Sequence, residues 1–321
     1  MQNLSQLSGI IEGELGKITY PNSPSKLYQP IEYVMGLGGK RMRPILLLMA
    51  HQLFDKKIEK AIPPALGIEV FHNFSLLHDD IMDNAPIRRG QQTVHEKWDN
   101  NVAILSGDTM LVQAYKLLSD VDKSILKEVL SVFNKAATQV CEGQQLDMDF
   151  ESQKEVSLQE YLKMIENKTA VLLAASLQIG GITAGTSKDN QNNLYHFGLN
   201  MGIAFQLKDD LLDAFGNLEN FGKRVGGDIM ANKKTFLYLK ALQIANDSQQ
   251  ENLHRYFSSD DVSKEKVTEV KAIFTDLDIP KHTKDMMRAY YTKAMRHLDA
   301  IDSENKAPLI SFFEKLMDRI S

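Results

Sequence analysis

Apolar residues recur along this chain at the three- and four-residue spacings of an α-helix, and sustained alternation of the kind a strand needs is absent. Leu46, Leu47, Ala50 and Leu53 form one stripe, and Leu111, Ala114, Tyr115 and Leu118 another. The interruptions are short: Pro21 to Pro24, Gly36 to Gly39, Pro63–Pro64, Gly216 to Gly227, and a polar stretch near Ser258 to Ser263. None has the composition of a domain linker, and no low-complexity tract appears. The pattern predicts an all-α protein, a single large helical bundle over residues 1–321.

Three segments can be placed more closely. A helix is expected from about Pro64 through Asp83, stopping before Pro86, because the residue before a proline disfavours helical geometry. A second should run from about Leu194 to Asp213 and end near Gly216. A third carries Lys168 and ends near Gly180; Ser157 with Glu160 three residues on reads as its capping box, so it should start at Leu158.

Composition narrows the class. Of 321 residues, 43% are hydrophobic and 25% charged, enough apolar material for a large core, so disorder is not expected. The net charge of -5 argues against a nucleic-acid partner, although local clusters can still attract an anionic substrate. Cys141 is the single cysteine, so no internal disulfide can form; it is expected to be a buried structural thiol in a reducing compartment. The N-terminus lacks a basic start followed by an apolar run. The weakly polar stretch from Ala170 to Gly185 contains Ser176, Gln178 and Thr183, short of the roughly 20 mainly apolar residues of a spanning helix. A cytoplasmic protein without a transmembrane segment is expected.

The most informative feature occurs twice. His78-Asp79-Asp80-Ile81-Met82-Asp83 and Lys208-Asp209-Asp210-Leu211-Leu212-Asp213 each place an Asp-Asp-x-x-Asp cluster after an apolar helical run. On a helix, Asp79 and Asp83 share a face one turn apart, as do Asp209 and Asp213. Like charges at that spacing destabilise a helix by roughly 0.2–0.5 kcal/mol per pair. A position near the C-terminus adds about 0.3–1 kcal/mol from the helix dipole. One such cluster could be a solvated helix end. Two, both embedded in apolar helices, point to hard divalent cations, which magnesium chemistry supplies through carboxylates and substrate phosphate oxygens.

Basic side chains suited to phosphate accompany them. Gly38-Gly39-Lys40-Arg41-Met42-Arg43-Pro44 is a glycine turn leading into a helix, where backbone can approach an anion and Arg43 offers a planar fork. Arg88 and Arg89 follow the first aspartate cluster, and Lys168-Thr169, Lys223 and Lys233 complete the set. Singly, each reads as an ordinary surface cation, and His72 alone as a core histidine.

Together the motifs GGKRMRP, HNFSLLHDDIMDNAPIRRG, EGQQLD, NKT, FQLKDDLLD and FGKRVGGDIMANKKT, in this order across nearly the whole chain, resemble the trans-isoprenyl diphosphate synthase (polyprenyl synthetase) family. The resemblance implies the isoprenoid synthase fold, helices around a deep central cavity, and condensation of isopentenyl diphosphate with an allylic diphosphate (dimethylallyl, geranyl or farnesyl). Lys40, Arg43, His72 and Arg89, with the Gly39 backbone, would bind isopentenyl diphosphate. Arg88, Lys168, Thr169, Gln206, Lys223 and Lys233 would bind the allylic diphosphate, with Lys168 and Gln206 also acting in catalysis. Asp79, Asp83 and Asp209 would hold magnesium, three ions with substrate bound, supported by Asp80, Asp210 and Asp213. Asn232 departs from the family's glycine before Lys233, and the proline common after Phe236–Leu237 is missing; both bear on Lys233. A homodimer is also implied.

Product length is expected to depend on the helix bearing Asp79, since each turn rises about 5.4 Å, close to one isoprene unit. Ser75, one turn earlier, is small. Helical angles place Phe74 off the Asp79 face, and only the resemblance nominates it as the floor. One aromatic beside a small residue resembles geranylgeranyl (C20) synthases, with C15 and C25 products as alternatives. A terpene cyclase and a non-catalytic regulatory subunit are the rivals of other classes. A cyclase lacks the GGKRMRP pocket, and a degenerate subunit typically loses an aspartate cluster.

Overall fold

The computed structural model describes residues 2–216, 226–259 and 261–317. Among these the only β structure is a two-residue hairpin pairing Ile87–Arg88 with Gln91–Gln92; the other regular elements are helical. In chain order the first are α1 (Leu4–Leu15), α2 (Ser25–Gly36), α3 (Met42–Gln52), α4 (Ile62–Met82), α5 (Val94–Lys97) and α6 (Asn100–Leu118). They are followed by α7 (Lys123–Ser152), α8 (Leu158–Ile165), a π turn (Glu166–Ala170), α9 (Val171–Thr183) and α10 (Lys188–Phe215). Then come α11 (Gly227–Met230), α12 (Phe236–Ile244), α13 (Asp247–Phe257), α14 (Lys264–Asp276), α15 (Ile279–Asp299) and α16 (Ala307–Met317).

Local chemistry starts several of these helices where it should. Asn3 and Gln6, Ser157 and Glu160, and Asn246 and Gln249 each form a complete capping box, satisfying backbone donors that a helix N-terminus leaves open. Pro63 sits in the first turn of α4, where its missing N–H costs nothing. That helix ends with Asp83 as its cap, one residue from the expected limit.

Proximity of Cα atoms divides the chain into two compact units. One comprises Met1–Lys135, Ala175–Tyr195 and Ile301–Phe312; the other Ala136–Ala174, His196–Ala300 and Phe313–Ser321. In the first, α4 packs along α6 and against α3 over a core that includes Leu46, Leu47, Ile68, Phe71 and Phe133, all essentially without solvent exposure. In the second, Tyr161, Ile165, Ala170, Leu207, Phe236, Phe274 and Ile279 belong to one buried apolar cluster.

Three expectations need correction. The helix carrying Lys168 is not continuous: α8 starts at Leu158 as expected, but Lys168 and Thr169 lie in the π turn, and α9 runs past Gly180 to Thr183. Such a turn inserts an extra residue into the helical ladder. Gly180 does not break the helix; a Cβ there would sit 2.2 Å from the Leu47 carbonyl, so the position needs glycine for packing. The helix of the second aspartate cluster begins at Lys188, six residues earlier than Leu194. Cys141 is exposed, not buried: Ala136, Val140, Gly143 and Gln144 form the covered face of α7, and Cys141 falls outside it.

Candidate functional site

The C-terminal end of α4 presents Asp79, Asp80 and Asp83. Asp80 is 3% exposed, and its carboxylate receives Arg88 Nε at 2.8 Å and Arg88 Nη2 at 2.7 Å, a forked ion pair. Asp79 is half-buried and its carbonyl accepts the Asp83 N–H at 2.8 Å; the Asp83 side chain is exposed. Arg88 is placed by the hairpin, whose turn residues Arg89 and Gly90 both have positive φ, 52° and 77°, the requirement of the tight primed hairpin turn.

That turn returns Arg89 to the glycine loop before α3. The Arg89 guanidinium donates to the Gly38 carbonyl and lies against Gly39, where φ is 139° and a Cβ would meet the Arg89 nitrogen at 2.8 Å. Only glycine fits there. Arg43, in the first turn of α3, donates through Nη1 to His72 Nε2 at 3.0 Å. Burial, reinforced by Arg43, Arg89 and Arg88, holds His72 well below its usual pKa, so it is neutral and accepts at Nε2. Burial also pushes Arg43 down to about 10. Its buried Nε finds no acceptor among the described residues. One guanidinium, Arg43, thus bonds a neutral imidazole whose charge Arg89, Arg88 and Arg41 also oppose, an arrangement that an anion would relieve, while Lys40 is exposed.

Arg41, which sequence reasoning passed over, anchors this loop. It caps α3 with φ 45°, is 4% exposed, and donates to Glu12 at 2.9 Å, Glu69 at 2.8 Å and the Met35 carbonyl at 2.8 Å. Phe74 packs against Phe71 and His78, with ring centroids 5.6 and 4.7 Å apart, and Ser75 turns its hydroxyl back to the His72 carbonyl at 2.9 Å.

The second unit holds a cavity with ≈ 680 Å³ of empty space, part of it open to solvent. Lys168, Thr169, Gln206, Asp210 and Lys233, all expected site residues, line it together with Tyr161, Asp147 and Asp228. Lys168 donates to Asp147 at 2.5 Å. Gly143 makes that pairing possible, because a Cβ there would lie 2.2 Å from the Lys168 backbone nitrogen, so α7 touches the π turn. Thr169 donates to Gln206 at 3.1 Å, and Gln206 to Asp210 at 3.1 Å. The Tyr161 hydroxyl donates to the other oxygen of Asp210. Burial raises the Asp210 carboxyl to about 7, with Asp228 and Asp209 adding to the rise and the Tyr161 and Gln206 hydrogen bonds opposing it.

Asp213 is engaged otherwise: its carboxylate accepts the Asp228 N–H at 2.9 Å and its carbonyl the Gly226 N–H at 2.6 Å, fixing the start of α11. Asp209 is half-buried on α10 and does not line the cavity. Lys223 lies outside the described residues. Tyr161 carries no motif of its own; its signal is only its place two turns before Lys168. Asp147 and Asp228 stand inside EGQQLD and GGDIM and could have been found there.

The donor sets are all oxygen, as a hard cation requires. Among the described residues no three His, Cys, Asp or Glu side chains converge on one point. Magnesium does not need that, since it commonly takes one or two carboxylates and completes its shell with water and substrate phosphate. No helix among the described residues is long and apolar enough to cross a membrane.

These features define a helical protein arranged for polyanionic ligands. The family profile described as "Polyprenyl synthetase" matches residues 24–276. The geranylgeranyl diphosphate synthase of Methanosarcina mazei is 38% identical over 245 residues, 76% of each chain. The geranylgeranyl pyrophosphate synthase of Geoglobus acetivorans is 32% identical and covers 97% of this chain and 96% of its own. A crystal structure of a geranylgeranyl pyrophosphate synthase superposes with a TM-score of 0.95 at 44% identity over 100% of both chains. The chain belongs to the polyprenyl synthetase family: it has the isoprenoid synthase fold and is a prenyl-transferring enzyme.

Proposed function

We propose that this chain is a magnesium-dependent synthase that condenses isopentenyl diphosphate with an allylic diphosphate, releasing diphosphate and making geranylgeranyl diphosphate. The observation that carries this reading is the pair of cations Arg43 and Arg89 beside neutral His72, with a buried Arg43 Nε directed at no protein acceptor among the described residues. Lys40 and the Gly39 backbone complete a pocket for the isopentenyl diphosphate head. Arg88, Lys168, Thr169, Gln206 and Lys233 bind the allylic diphosphate, and Lys223 is assigned to it from sequence alone.

Asp79, Asp83 and Asp209 would hold magnesium, with Asp80, Asp210 and Asp213 supporting them through their neighbours. When bound, the ions supply positive charge that stabilises the departing diphosphate. Lys168 and Lys233 add charge of the same sign, favouring ionisation of the allylic carbon–oxygen bond. The double bond of isopentenyl diphosphate attacks the resulting allylic cation, and the departed diphosphate accepts the proton that is lost. The allylic cation has to be shielded from water until it is attacked. The ordered Thr169–Gln206–Asp210 chain holds its dipoles fixed during these steps, which costs no reorganisation in the transition state.

A C20 product is supported by the relatives named geranylgeranyl diphosphate synthase. The geranylfarnesyl diphosphate synthase of Natronomonas pharaonis, 40% identical over 238 residues and 68% of this chain, supports C25 as the second reading. Labelled isopentenyl diphosphate incubated with C5, C10 and C15 starters and magnesium should give mainly C20; absence of any elongated product would refute the assignment. Phe74→Ala should lengthen the product by at least one unit on reverse-phase chromatography, and an unchanged distribution would remove Phe74 as the floor. The protein is proposed to act in the cytoplasm as a homodimer. The apolar residues Ile104, Leu105 and Val112, exposed on α6, support pairing.

A further inference from the structure

Asn232 stands where the family resemblance implies a glycine, and its side chain leads to a buried lysine. Its φ is 56°, a left-handed conformation that asparagine tolerates better than most residues. The backbone therefore keeps a path open to glycine, while the side chain makes two bonds glycine could not. Asn232 Nδ2 donates to the Ser259 carbonyl at 2.9 Å, and Asn232 Oδ1 accepts from Lys266 Nζ at 2.5 Å. Lys266, in the first turn of α14, is 1% exposed; its Nζ lies 3.5 Å from the same Ser259 carbonyl and 5.9 Å from the centre of the Phe257 ring. Burying an ammonium and freezing its long stem are both unfavourable. Here they hold a loop in which Asn232 and the next residue, Lys233, both line the cavity of the second unit.

We propose that Asn232 and Lys266 form a clamp that positions Lys233 for the diphosphate of the allylic substrate. The inference rests on the prenyl-transfer reading above. Asn232 lines the same cavity, but both polar atoms of its side chain are taken up by Ser259 and Lys266, and so both residues act through Lys233 as positioning residues. The clamp ties the stretch after α11 to the connection between α13 and α14, and it fixes the backbone from which Lys233 projects. Without it, the loop and its ammonium would sample more positions, and ordering them would weaken diphosphate binding.

Steady-state kinetics of the full chain with farnesyl diphosphate, isopentenyl diphosphate and magnesium test this. Asn232→Gly keeps the left-handed backbone but deletes the clamp. It should raise KM for farnesyl diphosphate roughly tenfold, the low end for residues that orient a ligand-binding side chain, and leave KM for isopentenyl diphosphate unchanged. Lys266→Met should act in the same direction, and Asn232→Asp, which retains the acceptor for Lys266, should restore most of the affinity. Adding Asn232→Gly to Lys233→Met should cost nothing beyond Lys233→Met alone, because the clamp works through that ammonium. An unchanged KM for farnesyl diphosphate in Asn232→Gly, an equal rise in both KM values, or additive losses in the double variant would overturn the clamp. If the wild-type chain elongates no starter, the prenyl-transfer reading falls and takes the clamp with it. If the wild type turns over and the clamp variants match it, only the clamp falls.

Discussion

The same acidic pattern ends α4 and α10, yet the two ends treat their middle carboxylate in opposite ways. Asp80 is met by a full opposite charge, the Arg88 guanidinium at 2.7 Å, delivered by a hairpin that begins four residues after the helix cap. Asp210 is met by neutral donors, the Tyr161 hydroxyl and the Gln206 amide, and burial with Asp228 and Asp209 nearby raises its carboxyl to about 7. A motif therefore specifies which atoms are present, while their partners decide how readily a buried carboxylate carries its charge.

Removing a carboxylate from either end is the strongest way to break the comparison. Asp79→Ala and Asp209→Ala should each lower turnover by at least about 100-fold, with far-UV circular dichroism unchanged. Loss in only one variant would mean that the ends are unequal in function as well as in environment. Near-native turnover in both would undo the metal assignment.

A pH series sharpens the contrast next. The folded-state pKa of Asp210 is raised above its usual 3.8 to about 7. Its contribution to stability is therefore present below about pH 4 and lost as pH rises through 7. Without magnesium, the wild type should lose a few kcal/mol relative to Asp210→Asn between these limits, as read by urea unfolding at each pH. Asp80→Asn should leave that slope in place, and excess magnesium should reduce it, because a bound cation favours ionised carboxylates. A flat difference between wild type and Asp210→Asn would remove the contrast.

The smallest effects concern the partners. Arg88→Met strands a buried carboxylate and should destabilise the fold by about 2 kcal/mol, below the cost of breaking a fully buried pair because Arg88 is partly exposed. Tyr161→Phe removes one neutral donor and should cost about 1 kcal/mol. Equal urea midpoints for the two variants would show that the partner's charge does not matter.

Much of this molecule was legible in the chain. The capping box at Ser157 and Glu160 located the start of α8 to the residue, and the apolar spacing identified α4 and α10 with their acidic ends. These features depend on interactions within a few residues, which is why sequence alone determines them. The π turn at Lys168 was not legible, since it goes with the close approach of Gly143 from another helix. Nor was the exposure of Cys141, which depends on the face α7 buries. Arg41 looked like one more basic residue in GGKRMRP until Glu12 and Glu69, from α1 and α4, closed around it. Helix identity, caps and the chemistry at hand were set by neighbours along the chain; burial, pairing and the charge a carboxylate bears were settled only in three dimensions, because residues tens of positions apart supply the field and exclude the water.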